Sequence, residues 1–370
     1  MLSTSMSGTA GRETATALEW LPVPLLEWYH ENARVLPWRS DPTPYHVWVS
    51  EIMLQQTRVA AVLGYYERFL EALPTVAELA ACPEERLMKL WQGLGYYSRA
   101  RNLQKAARQI VERHGGEFPT DYDNIRALAG VGDYTAGAIA SIALGQAVPA
   151  VDGNVLRVVS RLTNDHRDVT RPETKAAVTE AIRKVLPVHA AGEFNQALMD
   201  LGATVCLPNG VPLCERCPAQ RFCAAHREGH ETELPVKAPK PSRRVEERTV
   251  WLIFHERKVA LRRRPKQGLL AGLWEYPNEP AGGGFERPIS LTTEEVAAPP
   301  VPPIPGQVSF AAAGKHIFTH IEWRMKAYTV KAEGEELPPG WVWADKRELG
   351  ERYPVPSAFQ AFSHIVEENL

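Results

Sequence analysis

Leu128-Ala-Gly-Val-Gly-Asp-Tyr-Thr-Ala-Gly-Ala-Ile sets two glycines, Gly130 and Gly132, between two segments of helical periodicity. Glycine lets a backbone approach a ligand closely, and the run Gly130, Val131, Gly132 leads into a helix expected from about Tyr134. Free N–H groups and the helix dipole at such a start favour a phosphate. An ordinary turn between packed helices is the bland alternative, and for two glycines alone it is the commoner one. The neighbourhood therefore has to decide.

Around this turn, residues 18 to 229 carry apolar residues at three- and four-residue spacing, as in Val59 to Leu70, Arg99 to Arg113, Tyr134 to Leu144 and Thr174 to Leu186. The helical pattern stops at Glu233-Leu-Pro-Val-Lys-Ala-Pro-Lys-Pro-Ser, whose prolines predict an extended connector and a domain boundary. Beyond it, Thr249 to Phe254 and Lys258 to Arg262 read as paired strands around a His-Glu-Arg turn. Ile321 to Val330 reads as a third strand and Trp341-Val-Trp as the start of a fourth. Segments 277–284 and 298–306 read as loops, so the C-terminal part is expected to be α+β. At 370 residues there is room for two or three domains. No apolar run is long enough to span a bilayer, and residues 1–17 lack a secretory pattern and read as a disordered tail. With 42 Lys+Arg against 44 Asp+Glu, the net charge of -2 announces no nucleic-acid binder, so any DNA contact must be local.

Four of the five cysteines fall between 206 and 223, spaced Cys206-x7-Cys214-x2-Cys217-x5-Cys223. Four soft thiolates so close suit zinc or a [4Fe-4S] cluster equally on spacing alone, and disulfides poorly. Two carboxylates also stand out. Glu51 sits among Trp48, Val49, Ile52 and Met53, where desolvation would raise its pKa and suit it to donate a proton; a solvated helical Glu is the ordinary alternative. Asp152, in Ala150-Val-Asp-Gly-Asn-Val, precedes a helix and reads equally as its N-cap, a place where a carboxylate stays ionised. One neutral and one charged acid is a common division of labour for breaking a glycosidic bond, and a base is held to deoxyribose by such a bond.

Leu36-Pro-Trp-Arg, Val49-Ser-Glu-Ile-Met-Leu-Gln-Gln-Thr-Arg-Val, Gly93-Leu-Gly-Tyr-Tyr-Ser-Arg-Ala-Arg-Asn-Leu, Gly130-Val-Gly-Asp-Tyr-Thr and Val151-Asp-Gly-Asn-Val-Leu-Arg together resemble the adenine DNA glycosylases, the MutY family. The resemblance runs over roughly residues 20 to 370 and is most specific around Glu51 and the paired glutamines. It implies a multidomain chain with an all-α helix-hairpin-helix glycosylase core over 18–229. That core would comprise a six-helix barrel of about 37–140 and an iron-sulfur subdomain of about 18–36 plus 141–229. A connector over 230–247 and an α+β Nudix-like domain over 248–370 would follow. It also implies double-stranded DNA with adenine opposite 8-oxoguanine or guanine as substrate, with a [4Fe-4S] cluster on Cys206, Cys214, Cys217 and Cys223.

By the same resemblance, Glu51 protonates adenine and later activates water, Asp152 stabilises the cationic sugar, and Asn154 and Tyr134 support them. Trp38, Arg39 and Gln196 would meet the flipped adenine. Gln56, Thr57, Leu94 and Tyr96 would enter the stack or contact the opposite base, although helix-end and core packing would explain them equally. Related glycosylase-lyases carry a Schiff-base lysine at the position of Tyr134, and a tyrosine forms none, so base excision without strand cleavage is expected. The first cysteine gap is one residue longer than the family spacing.

Gly268-Leu-Leu-Ala-Gly-Leu-Trp-Glu-Tyr-Pro resembles the opening of the family's Nudix-like domain, but no Glu-rich box follows, so magnesium-pyrophosphate hydrolysis is not expected. Phe318-Thr-His matches the hairpin that reads 8-oxoguanine in the family, with Thr319 for serine, beside His320. Three rival functions are weaker. Tyr134, Gln196 and the extra domain oppose an endonuclease III-like lyase, the two acids oppose a silent damage-binding protein, and the missing box opposes a nucleotide hydrolase. A cytoplasmic, nucleoid-associated monomer is expected.

Overall fold

The computed structural model describes residues 17–239, 242–281 and 302–370; all but Ala17 of the expected tail over 1–17, and the parts of the two expected loops at 282–284 and 298–301, lie outside them. Two compact units form, one from residues up to Ala81 with Asn102–Pro239, the other from Cys82–Arg101 with Lys240–Leu370.

The first unit is helical. Its helix Pro44–Leu54 starts on Pro44 with the Thr43 hydroxyl accepting from the His46 amide at 3.2 Å. It is then buried on every face from Val47 to Met53, so a polar residue there is forced into the interior. Helices Pro22–Asn32, Gly153–Leu162 and Ala191–Thr204 enclose a core built on Leu21, Leu25, Val155, Phe194 and Leu198. The expected helix over 134–144 is α-helical only across Asp133–Ala138 and widens to a π-helix across Ile139–Ala143. Helices Val59–Ala72, Ser98–His114 and Pro172–Val185 match the expected periodic stretches.

The second unit is a mixed sheet of β1 (Arg244–His255), β2 (Lys258–Arg263), β3 (Trp274–Glu275), β4 (Asn278–Pro280), β5 (Gly306–Ile317), β6 (Ile321–Ala332) and β7 (Trp341–Ala344). The order is β3-β2-β1-β6-β5, with β4 also on β1 and β7 on β2; β1 and β6 run parallel. Alternate residues of β1 serve two cores. Val250 and Leu252 pack with Trp323 and Phe359 on one face, and Trp251 and Ile253 with Val330 and Ile304 on the other. The short helices Ser357–Phe362 and Ser363–Asn369 cover the first face.

Several expectations need correction. The β1–β2 turn is Glu256-Arg257 alone, since His255 pairs with Lys258. β4 occupies part of the expected loop at 277–284, and β5 begins at the end of the one at 298–306. The connector does not start free at 230. Leu234 is buried and its carbonyl accepts from Arg161 Nε at 2.9 Å, while Val236 O accepts from the Val169 amide at 3.1 Å. Residues 82–101, expected in the helical core, group with the sheet. There Lys89 Nζ donates to Leu349 O (2.6 Å), Gln92 Nε2 to Val355 O (2.8 Å) and Arg101 Nη2 to Ala271 O (2.5 Å).

Candidate active site

Glu51, Tyr134, Asp152, Asn154, Trp38, Arg39, Gln196, Gln56 and Thr57, separated by up to 158 positions in sequence, line one cleft of about 590 Å³ in the first unit. At its floor the Tyr134 hydroxyl donates to Glu51 Oε2 at 2.5 Å and also lies 3.8 Å from Met199 Sδ. Burial pushes the Glu51 carboxyl up to about 7; the Tyr134 bond and the Arg39 charge pull it down, and the Asp152 charge adds to the rise. The expectation of a desolvated Glu51 thus meets a physical cause.

Asp152 caps helix Gly153–Leu162. Its Oδ1 accepts from the Val155 amide at 2.8 Å and its Oδ2 from Asn154 Nδ2 at 2.7 Å. Burial nevertheless raises its pKa, and these bonds with the Arg157 charge work against the rise. The cap position alone therefore does not fix its charge: two donors and a nearby guanidinium favour the carboxylate, and burial outweighs them. Asn154 is itself held, since its Oδ1 accepts from Arg157 Nη2 at 2.9 Å, and Arg157 also reaches Gly202 O and Cys206 O.

Residues absent from the sequence reading complete the cleft. Asp200, fully buried, is pushed up by burial but brought below its ordinary value by Arg39 and Arg34. Arg39 commits both terminal nitrogens to it at 2.8 and 2.9 Å, and Arg34 Nε donates at 2.8 Å. Arg39 is thus a braced wall of the cleft rather than a free contact. Asp200 follows Gln196 by four residues on one helix and so shares its face, but both of its cationic partners are remote in sequence. Asn195, fully buried, holds the extended segment entering Asp152: its Oδ1 accepts from the Ala150 amide at 3.1 Å and its Nδ2 donates to Val148 O at 2.9 Å. Gln196 is half-buried at the cleft wall, and Trp38 packs edge-on to Tyr66.

The hairpin forms as expected, with Gly130 at φ 77° and Val131 buried between the two glycines. The Ala129 amide donates to Gln109 Oε1 at 2.8 Å, which fastens the turn to helix Ser98–His114.

The four cysteines line a second cavity, walled by Val158, Leu162, Leu201, Val205 and Pro212. Burial pushes the Cys217 thiol up to about 12 and that of Cys223 to about 11, and raises that of Cys214. The long first gap is pinched at its base, where Val205 O accepts from the Leu213 amide at 2.9 Å. Its surplus length goes to an exposed tip, Pro208–Val211, turned at Gly210 (φ 72°).

In the second unit, Tyr96 (φ 45°) is half exposed, and its hydroxyl lies 3.1 Å from Thr319 Oγ1 at a pocket of about 450 Å³. Thr319 and His320 are exposed at the β5–β6 turn, while Phe318 packs edge-on to Trp323. Leu94, expected to enter the base stack, is buried. Gln56 is exposed at φ 61° in the first unit's cleft.

Residues 49–185 match the family described as HhH-GPD superfamily base excision DNA repair protein, and 249–364 match the NUDIX domain. The chain is 36% identical to the adenine DNA glycosylase of Rattus norvegicus over 93% of this chain and 77% of that protein. It is 35% identical to the one of Homo sapiens over 88% and 70%. Among solved structures it resembles a thermostable thymine-DNA glycosylase, 26% identical with a TM-score of 0.53, over 59% of this chain and 99% of that one. A non-covalent endonuclease III–DNA complex, 24% identical with a TM-score of 0.50 over 58% and 99%, shares the fold. The cleft thus sits in a base-excision core joined to a Nudix-like sheet, and the chain belongs to the adenine DNA glycosylases, enzymes of base excision repair.

Proposed function

We propose that this glycosylase removes adenine standing opposite 8-oxoguanine or guanine, with Glu51 as acid and base and Asp152 as the charge that supports the sugar. The observation that carries the reading is the buried Glu51 carboxyl, pushed up to about 7. An acid of that strength is partly protonated at neutral pH and can give its proton to a ring nitrogen of adenine as the glycosidic bond breaks. The cationic sugar left behind is stabilised by Asp152 carboxylate, held in place by the Val155 amide and Asn154. Glu51, now ionised, takes a proton from the water that attacks the sugar carbon, which returns the enzyme to its starting state. Tyr134 donates to Glu51 and offers no amine, so the product is an abasic site with the strand intact.

The opposite base would be read in the second unit, where the paired hydroxyls of Tyr96 and Thr319 give donor and acceptor to a nucleobase edge. The hairpin at Gly130, Val131 and Gly132 would take a backbone phosphate.

For the cysteine cavity a [4Fe-4S] cluster fits better than zinc. Tetrahedral zinc at a Zn–S distance of about 2.3 Å draws its thiolates to about 3.8 Å of one another. Among the described residues no three of these thiols come within 4.8 Å of one another; the trio at this cavity that does is Cys214, His226 and Glu231. Four thiolates spread around a cavity suit a larger cationic core, which would cross-brace the end of the helical unit.

The test is single-turnover base release from duplexes with adenine opposite 8-oxoguanine, adenine opposite guanine, and oxidised pyrimidines. We expect adenine release from the first two without strand nicking, falling as pH rises through about 7, and lost in Glu51→Gln. Release unaffected by that substitution, or confined to pyrimidines, would overturn the reading.

A further inference from the structure

Arg161 is a buried cation that neither the excision chemistry nor the four thiols account for. It is the only lysine or arginine lining the cysteine cavity among the described residues, and it is 3% exposed. Its Nη1 donates to Cys206 Sγ at 3.2 Å and to Leu207 O at 2.8 Å, while its Nε donates to Leu234 O at 2.9 Å. Its own carbonyl lies 3.4 Å from Cys223 Sγ. One side chain thus touches the first ligand, the first residue of the lengthened gap and the segment leaving the helical unit.

We propose that Arg161 is a positioning residue for the metal centre, clamping Cys206 and the base of the long gap and tuning the charge of the cluster. This rests on the cluster reading above. Position follows from the fork: a planar guanidinium reaches Sγ and two carbonyls from two nitrogens in fixed directions, whereas the donors of an ammonium all leave one freely rotating nitrogen. Pinned at Leu207 O by Arg161 and at Leu213 N by Val205 O, the gap carries its surplus length at the exposed tip, away from the ligands. Tuning follows from charge. An N–H donor and a positive charge beside a thiolate ligand stabilise the electron-rich state of a cluster and raise its reduction potential. Because Arg161 is buried, solvent screens this little.

The experiment uses full-length protein as wild type, Arg161→Gln and Arg161→Lys, with far-UV circular dichroism to confirm the fold. Iron and acid-labile sulfide, each expected at about four per chain in wild type, report on the cluster reading alone. Zinc in place of iron would sink that reading and the present one with it. With iron present, Arg161→Gln is expected to lose iron to a chelator about 10- to 100-fold faster than wild type, and its midpoint potential, measured on DNA, to shift negative. Arg161→Lys is expected to keep the potential nearer wild type but not the slow iron loss. Wild-type retention and potential in Arg161→Gln would overturn the proposal, even if its melting temperature fell. Should Arg161→Gln not fold, wild-type iron retention in Arg161→Lys would overturn it equally.

Discussion

At Glu51, burial and the Tyr134 hydroxyl pull on one proton in opposite directions, and burial wins. A carboxyl whose pKa is higher folded than unfolded binds its proton more tightly in the folded state. The stability it confers is therefore fully present below the ordinary 4.5 and is lost as pH rises through about 7. A shift of that size corresponds to about 3 kcal/mol. Glu51→Gln does not titrate, so its stability relative to wild type should rise by about that amount across this window, as urea unfolding at a series of pH values would read. A difference that stays flat with pH would show that Glu51 does not hold its proton as described. This residue was legible because its apolar neighbours in sequence remain its neighbours in space. Asp200 was not. What makes it matter is a pair of guanidiniums from 161 and 166 positions away, and nothing local marks that meeting.

At the scale of elements, the two glycines of the hairpin do different work. Gly130 has a left-handed backbone, and a Cβ there would lie 2.7 Å from Asn102 Cβ, so the fold itself demands it. Gly132 has an ordinary φ of -104° and open space around the position of a Cβ, so nothing in the protein requires a glycine there. Gly130→Ala should therefore lower stability by about 1–3 kcal/mol. Gly132→Ala should leave stability within about 0.5 kcal/mol yet weaken binding to a non-specific duplex, because the added methyl stands where a phosphate would approach. Equal DNA affinity in wild type and Gly132→Ala would remove the phosphate role and leave a packing turn. Long periodic helices such as Ser98–His114 could be read from sequence with ends within a residue or two, since burial follows period. β5 escaped because Ala311-Ala-Ala-Gly carries little strand preference. It forms through its ladder with β6, a contact between segments rather than a property of either.

Over the whole molecule, composition and the proline-rich stretch at 233–242 predict a helical part followed by a sheet part, and both are present. The grouping of residues 82–101 with the sheet could not be read that way, because helix Glu84–Leu90 buries Leu87 and Met88 as any core helix would and, apart from an ion pair between Glu85 and Arg263, its segment meets the sheet mostly through main-chain carbonyls. Hydrogen bonds to a carbonyl leave no trace in side-chain pattern. Deleting the chain from Lys240 onward would remove the acceptors of Lys89, Gln92 and Arg101 and the partner of the Tyr96 hydroxyl together. At about 1 kcal/mol for each such bond, discounted for partial exposure, opening of 84–101 should ease by about 3 kcal/mol, or on the order of 100-fold in amide exchange. Helix Gly153–Leu162, whose cap and core lie within the first unit, should keep its protection in the same sample. Hydrogen exchange read by mass spectrometry separates the two segments in one experiment. If 84–101 exchanged no faster after truncation, its hold on the sheet would be incidental, and the reading of Tyr96 with Thr319 as one recognition surface would lose its support.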